Sequence, residues 1–399
     1  MKFKFKAGLL TRIVIAIAAG IGIGYIAPMW VARICATFNE IFGQFLGFLI
    51  PLIILGFVAP AIADLGNRAG KMLVATAAQA YAMTLFSGFV SFETGAWLFP
   101  DMISKIPAAD IAAADSTVEP FFEMPIPAIM PVMTALVFAF MIGLGAAYLS
   151  GNALRRGIDE FRDIVSMTIN KCIIPLLPIY IFGIFLNMTV VGQVGTILNT
   201  FIKIIVVIFI LHVLLLVFQY CVAALFARKN PFKMLWTMMP AYFTALGTQS
   251  SAATIPVTLR QTIKMGVSED VAGFTVPLCA TIHMSGSTLK IVACALAIMI
   301  MQGMPYDGGM FAHFIAMLGV TIIAAPGIPG GAIMASLGLL SSILGFSDAQ
   351  NALMIALYIS MDSFGTACNV TGDGALAAII DRCFRKKSTP VQLSDTSSD

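Results

Sequence analysis

Apolar runs of about 20 residues, the length needed to cross a bilayer, recur along the whole chain between short polar breaks. They predict span 1 at 9–28, span 2 at 38–63, span 3 at 70–99, span 4 at 127–149, span 5 at 162–188 and span 6 at 195–226. From 231 to 385 the chain stays apolar, but small and polar residues interrupt it in four places. These are Gln249-Ser250-Ser251-Ala252, His283-Met284-Ser285-Gly286-Ser287, Pro326-Gly327-Ile328-Pro329-Gly330-Gly331 and Asn369-Val370-Thr371-Gly372-Asp373. The region reads as two similar halves. Each is a re-entrant hairpin (231–262, then 309–345) followed by a broken span (267–302, then about 350–385). Interrupted apolar segments at matching places in two halves mark a solute site near the bilayer midplane. Backbone freed by a break is tolerated there only where it faces protein or a cavity.

Composition agrees: 59% of the 399 residues are hydrophobic and 11% charged, against about 25% charged in soluble domains. Mean hydropathy is +0.95. The net charge of +3 and the lack of a basic patch argue against a nucleic-acid partner. The seven cysteines have neither disulfide-framework nor zinc spacing and read as small core residues.

The basic residues give an orientation. One side of the membrane collects 19 of the 23 Lys and Arg: those at 2–12, Arg68 and Lys71, those at 155–171, 228–233 and 260–264, and those at 382–387. The other side holds Arg33 and Lys105, while Lys203 and Lys290 lie within apolar segments. The bias predicts both termini in the cytoplasm, an even number of spans, and a cell (inner) membrane protein in contact with lipid. The N-terminal run reads as a first span, being long for a signal peptide.

Within this apolar chain a few polar residues stand out. Asp362 lies in the middle of the last span, where a charge costs about 2.5–3.5 kcal/mol. Asn369 and Asp373 follow at seven and eleven residues, on one helical face. An amide oxygen, a carboxylate and backbone carbonyls make a hard-oxygen set suited to an alkali cation. Lys290 falls well inside span 7 and, unless partnered, would tend to lose its proton.

Several of these stretches resemble one family. Ser250-Ser251-Ala252-Ala253-Thr254-Ile255-Pro256-Val257-Thr258, Phe274-Thr275-Val276-Pro277-Leu278-Cys279-Ala280-Thr281-Ile282, Pro329-Gly330-Gly331-Ala332-Ile333-Met334 and Asn369-Val370-Thr371-Gly372-Asp373 match in order and spacing. They resemble the hairpins and spans 7 and 8 of the dicarboxylate/amino acid:cation symporters, the glutamate-transporter homologues. The resemblance implies an all-α membrane protein with eight transmembrane helices, two re-entrant hairpins, inverted repeats, a homotrimer and an elevator-type motion. It implies scaffold spans 1–2 (1–69) and 4–5 (127–188). The moving transport domain would comprise span 3 (70–99) and 195–385, with 386–399 a cytoplasmic tail.

The same resemblance implies site residues. Asp362 would hold the α-ammonium of an amino acid and Asn369 its α-carboxylate. Ser250 and Ser251 of hairpin 1, Met284, Ser287, Pro329 and Gly330 of hairpin 2, Gly365 and Thr366 would complete the substrate site. Asn369 and Asp373, with carbonyls of Cys279 and His283, would form a first sodium site. Thr281, Met284 and hairpin-2 carbonyls around 322–325 would form a second.

Departures from the family narrow the reading. Its acidic-substrate members carry an Arg where this chain has Gly365, and a hairpin-1 Arg aligns with Gln249. A second Asp is replaced by Tyr358. An acidic solute would lack these partners, so a neutral amino acid is expected, with Gly365 leaving space for its side chain. The Asp and Asn of the family's span-7 motif are Ser285 and His283, and its span-3 ligands become Ala77, Ala80 and Tyr81. A third sodium site is therefore not expected, and the coupling ion is one or two Na+, with H+ as the alternative through His283. Lys290 could stand near Ser285 as a tethered cation, or pair with a carbonyl elsewhere.

An enzyme is not expected. Asp362 and Asp373 would be roughly 16 Å apart along one helix, and Ser285 and His283, two residues apart, would not face each other in a regular helix.

Overall fold

The computed structural model describes residues 9–67, 71–103, 118–192, 194–323, 325 and 329–384. Arg68, Lys105, the tip residues Pro326, Gly327 and Ile328, one position of the 322–325 region and the 386–399 tail lie outside them. No strand occurs among the described residues.

The helices are α1 (Leu9–Gly24), α2 (Met29–Asn67), α3 (Lys71–Met102), α4 (Val132–Tyr148) and α5 (Ala153–Thr168). A single π turn (Ile169–Ile173) leads into α6 (Ile174–Val190). Then follow α7 (Val194–Ala227), α8 (Pro231–Thr248), α9 (Ser251–Lys264), α10 (Glu269–Ile282) and α11 (Ser285–Met301). The last are α12 (Gly308–Ile323), α13 (Gly331–Leu344), α14 (Asp348–Ser360) and α15 (Asp362–Phe384). By length and apolar character five helical stretches could cross a membrane: Met29–Pro60, Lys71–Met102, Ala153–Val190, Val194–Ala227 and Glu269–Met301. The pair α14–α15, bent by 62°, makes a sixth. Helices α1 and α4 are apolar but shorter.

Two sets of helices pack among themselves. Helix α2 lies against α4, α5 and α6, and α1 against α6. In the other set α15 lies against α7, α8, α9 and α10, and α11 against α3. The sets meet where α13 touches α2 and α4, and where α14 touches α1 and α6. Tyr180 on α6 donates to the Asp348 carbonyl at 3.3 Å across this contact.

The charged residues at the ends of spans find local partners. Arg33 donates to the Glu119 carbonyl at 3.1 Å, and its guanidinium lies over the Phe121 ring at 4.4 Å. Lys203, near the start of α7, donates to the Met102 carbonyl at the end of α3 (2.7 Å). This uses the helix C-terminus, where carbonyls lack intrahelical partners.

Hairpin 1 turns at the expected tip. Gln249 adopts a left-handed conformation (φ 54°) and closes α8, and the Ser250 hydroxyl accepts from the Ala253 N–H to cap α9. Span 7 breaks at His283-Met284, also as expected. The break of the last span differs. Asn369-Val370-Thr371-Gly372-Asp373, read as an interruption, lies inside the continuous α15. The chain bends instead at Met361, between α14 and α15. Asp362 is thus the first residue of a helix, where a carboxylate meets the positive end of the macrodipole. The glycines at 372 and 374 leave the helix intact; Gly372 brings the backbone close to Gln219 and His283.

Candidate functional site

Three helix N-termini converge in the buried interior: the start of α11, the start of α15 and the start of α13. Asp362 joins all three. Its Oδ1 lies 2.9 Å from the Lys290 ammonium of α11, and its Oδ2 accepts from the Gly330 N–H at 2.8 Å. Lys290 is 0% exposed. Its ammonium also lies 3.5 Å from the centroid of the Tyr358 ring, at cation–π distance, and 3.5 Å from the Met361 carbonyl. A buried charge needs such pairing, because an unpaired one is heavily penalised.

The network continues along α11. The Asn369 side-chain oxygen accepts from the backbone N–H groups of Gly286 (2.8 Å) and Ser287 (3.3 Å). It thereby caps a helix from a neighbouring one, satisfying donors with no intrahelical partner. Asn369 Nδ2 and the Tyr358 hydroxyl both donate to the Ser287 Oγ, at 3.0 and 3.1 Å. This close approach depends on Gly286, where a Cβ would lie 2.7 Å from that of Cys368.

A second group adjoins it. His283 Nδ1 lies 2.9 Å from Asp373 Oδ1, and His283 Nε2 lies 2.9 Å from Ser285 Oγ. Gln219 of α7 donates to the same Ser285 oxygen at 3.0 Å. All four side chains are buried. The break at 283–284 lets His283 and Ser285 meet, which regular-helix spacing forbids. The sequence argument against their contact is corrected on that ground. The arrangement has the atom order of a hydrolytic triad, but its serine is fully buried and already holds two partners.

Asp362 stands near the middle of the bent α14–α15 pair, as the first residue of α15. The structure revises two further expectations. The space beside Gly365 is filled by the chain itself: a Cβ there would come within 2.8 Å of both Lys290 Cε and Nζ. Lys290 pairs with a carboxylate, not with a carbonyl alone, and the Ser285 hydroxyl finds His283 and Gln219 instead.

The sequence-named residues therefore fall into place unevenly. Ser287, Lys290, Gly330, Asp362, Gly365 and Asn369 come together in one cluster; His283 and Asp373 join the second. Met284 is the N-cap of α11, Thr366 follows Gly365 on α15, and Pro329 precedes Gly330. Ser250 and Ser251 form the start of α9. Thr281 is exposed, and its hydroxyl donates to the Leu278 carbonyl of its own helix (2.7 Å). The Cys279 carbonyl accepts from the His283 N–H (2.8 Å). Tyr81 donates to the Ala316 carbonyl of α12 at 3.2 Å, and Ala80 is buried. For a first sodium ion the donor set is the right chemistry, but the Asn369 oxygen and one Asp373 oxygen already serve protein donors.

Sequence reasoning placed α7 as span 6 but missed its polar side chains. His212, Gln219 and Tyr220 are buried there, with His212 Nε2 2.9 Å from the Gly286 carbonyl and the Tyr220 hydroxyl donating to the Thr371 carbonyl (2.7 Å). The available signal was three polar-capable residues spaced seven and eight apart on one face of the most apolar span.

Long apolar helices and buried polar groups at broken helix ends are the features of a multi-pass membrane protein. The chain belongs to the sodium:dicarboxylate symporter family, whose model matches residues 9–383. It is 26% identical over 403 residues to the serine/threonine transporters SstT of Acinetobacter baumannii strains AYE and AB307-0294, covering 97% of this chain and 100% of each relative. The family and these relatives are transporters, not enzymes.

Proposed function

We propose that this carrier brings a neutral amino acid into the cell together with sodium, through the cluster around Asp362 and Asn369. The observation that carries the reading is the charge of the cluster: one carboxylate and one ammonium, with no buried arginine among the described residues. A solute of zero net charge leaves that balance undisturbed. The serine/threonine transporters among its relatives support the same class. One or two sodium ions accompany the solute, with Met284, Asn369 and Asp373 among the ligands once the site rearranges to receive them.

The architecture we infer has eight spans, two re-entrant hairpins and an elevator motion. Helices α1, α2, α4, α5 and α6 form the scaffold, and α3 with α7–α15 the moving domain. The two packing sets, meeting through α13 and α14, support this division. The distribution of Lys and Arg supports an inner-membrane protein with cytoplasmic termini. We infer a homotrimer from the family.

A second reading, carriage of an acidic solute, is favoured by one observation, the cation that Lys290 supplies beside Gly365. Asp362 already balances that cation, which places the neutral solute ahead. Thermal-shift screening of the purified protein against the twenty amino acids, with and without sodium, tests the choice. Stabilisation by small neutral amino acids that grows with sodium is expected. Stabilisation by aspartate or glutamate alone would reject it.

A further inference from the structure

Lys290 combines three properties. It is fully buried, its ammonium is 2.9 Å from a single carboxylate, and its terminal atoms occupy the space over Gly365. The charge makes the Asp362 locality neutral before any solute arrives. A solute with net charge would leave one charge uncompensated in a low-dielectric interior, which is costly. A zwitterion laid antiparallel to the pair adds two opposite-charge contacts and no net charge, its carboxylate toward Lys290 and its ammonium toward Asp362. The side chain of Lys290 acts on volume as well. Its Cε and Nζ approach the Gly365 backbone so closely that even a methyl group there would displace them. Tyr358 covers the ammonium from the other side at 3.5 Å. Little width is left for a solute side chain.

We propose that Lys290 is the specificity-determining residue of this carrier, restricting its solute to a small zwitterion: the ammonium sets the charge class and the butyl chain the size class. The proposal rests on the reading that an amino acid binds at Asp362. It gives Lys290 a role distinct from structural pairing. A structural lysine would affect every solute alike, whereas a specificity lysine changes their order.

The test is thermal-shift titration of the full-length protein in sodium buffer with five probes: serine, alanine, threonine, leucine and ethanolamine, the last a cation without a carboxylate. The unmodified protein is expected to respond to serine and alanine at concentrations at least tenfold below those needed for leucine or ethanolamine. In Lys290→Met, which keeps length but removes charge, the preference for serine over ethanolamine should fall at least tenfold. In Lys290→Ala, leucine should gain at least fivefold relative to alanine. Lys290→Arg keeps the charge, so serine should remain ahead of ethanolamine, while threonine loses about fivefold relative to alanine. Should the Met and Ala variants not fold, the Arg variant decides alone. An unchanged order of probes in the folded variants overturns the proposal. If the unmodified protein responds to none of the amino acids, the reading of the site as an amino-acid site falls, and the proposal with it.

Discussion

The imidazole Nδ1 of His283 lies 2.9 Å from Oδ1 of Asp373, with both side chains buried between α10, α11 and α15. One of the two carboxylate oxygens best suited to a sodium ion is thus held by a ring nitrogen, and the neighbouring Asn369 oxygen is held by two backbone N–H groups. Sodium must displace these donors to bind there. His283→Asn shortens the side chain and releases Asp373. It should raise sodium affinity, read as the sodium concentration giving half-maximal thermal stabilisation, by about tenfold, or about 1.4 kcal/mol. Asp373→Asn should instead weaken the sodium response while the protein still purifies as a folded species.

The Lys290–Asp362 pair should behave as a unit. Removing one partner leaves the other charge buried, at a cost of about 3–5 kcal/mol. Asp362→Asn and Lys290→Met should therefore each lower the unfolding midpoint sharply. The double variant should recover most of the loss, because apolar or neutral pairs replace buried ion pairs with little penalty. Denaturation of the four proteins in one detergent gives the cycle. Additive losses in the double variant would show that the two groups do not interact.

Gly365 is an approach point for Lys290, not open space for the solute. Gly365→Ala should push the ammonium off Asp362 and reduce serine binding at least tenfold. Gly365→Arg, with Lys290 displaced to make room, sets two cations against one carboxylate and should admit aspartate, whose net negative charge restores the balance. Gly365→Arg combined with Lys290→Ala keeps one cation against one carboxylate and should still favour serine. Aspartate titrations on the single and double variants separate these outcomes.

Asn369 caps α11 from a neighbouring helix. Asn369→Ala strips the acceptor from the Gly286 and Ser287 N–H groups and should destabilise by about 1 kcal/mol, as loss of an N-cap does. Asn369→Asp restores an acceptor, so its unfolding midpoint should exceed that of the alanine variant; equal midpoints would remove the capping role.

Much of this was legible in the sequence. The tip of hairpin 1 follows from Gln249 and Ser250, whose conformations suit a left-handed C-cap and an N-cap. The span-7 break follows from His283-Met284-Ser285-Gly286. The bend of the last span was not legible. Asn369-Val370-Thr371-Gly372-Asp373 contains the residues that punctuate chains, yet it stays helical because tertiary partners use its side chains. Tyr358 through Asp362 carries no Gly or Pro, yet the chain bends there, where Asp362 binds groups on two other elements. Lys290 and Asp362 are separated by 72 residues, beyond any local pattern. The clue was that Lys290 and Asp362 are opposite charges within apolar spans, where such groups pair.

Uptake by sealed proteoliposomes reads out sodium-driven transport of a small neutral amino acid itself. Labelled serine is supplied outside, with sodium outside and potassium inside. The expected result is saturable accumulation that requires the inward sodium gradient, is competed by alanine and threonine, and is unaffected by aspartate at the same concentration. Accumulation that ignores sodium and follows an imposed pH gradient, or saturable high-affinity uptake of aspartate in place of serine, would contradict it.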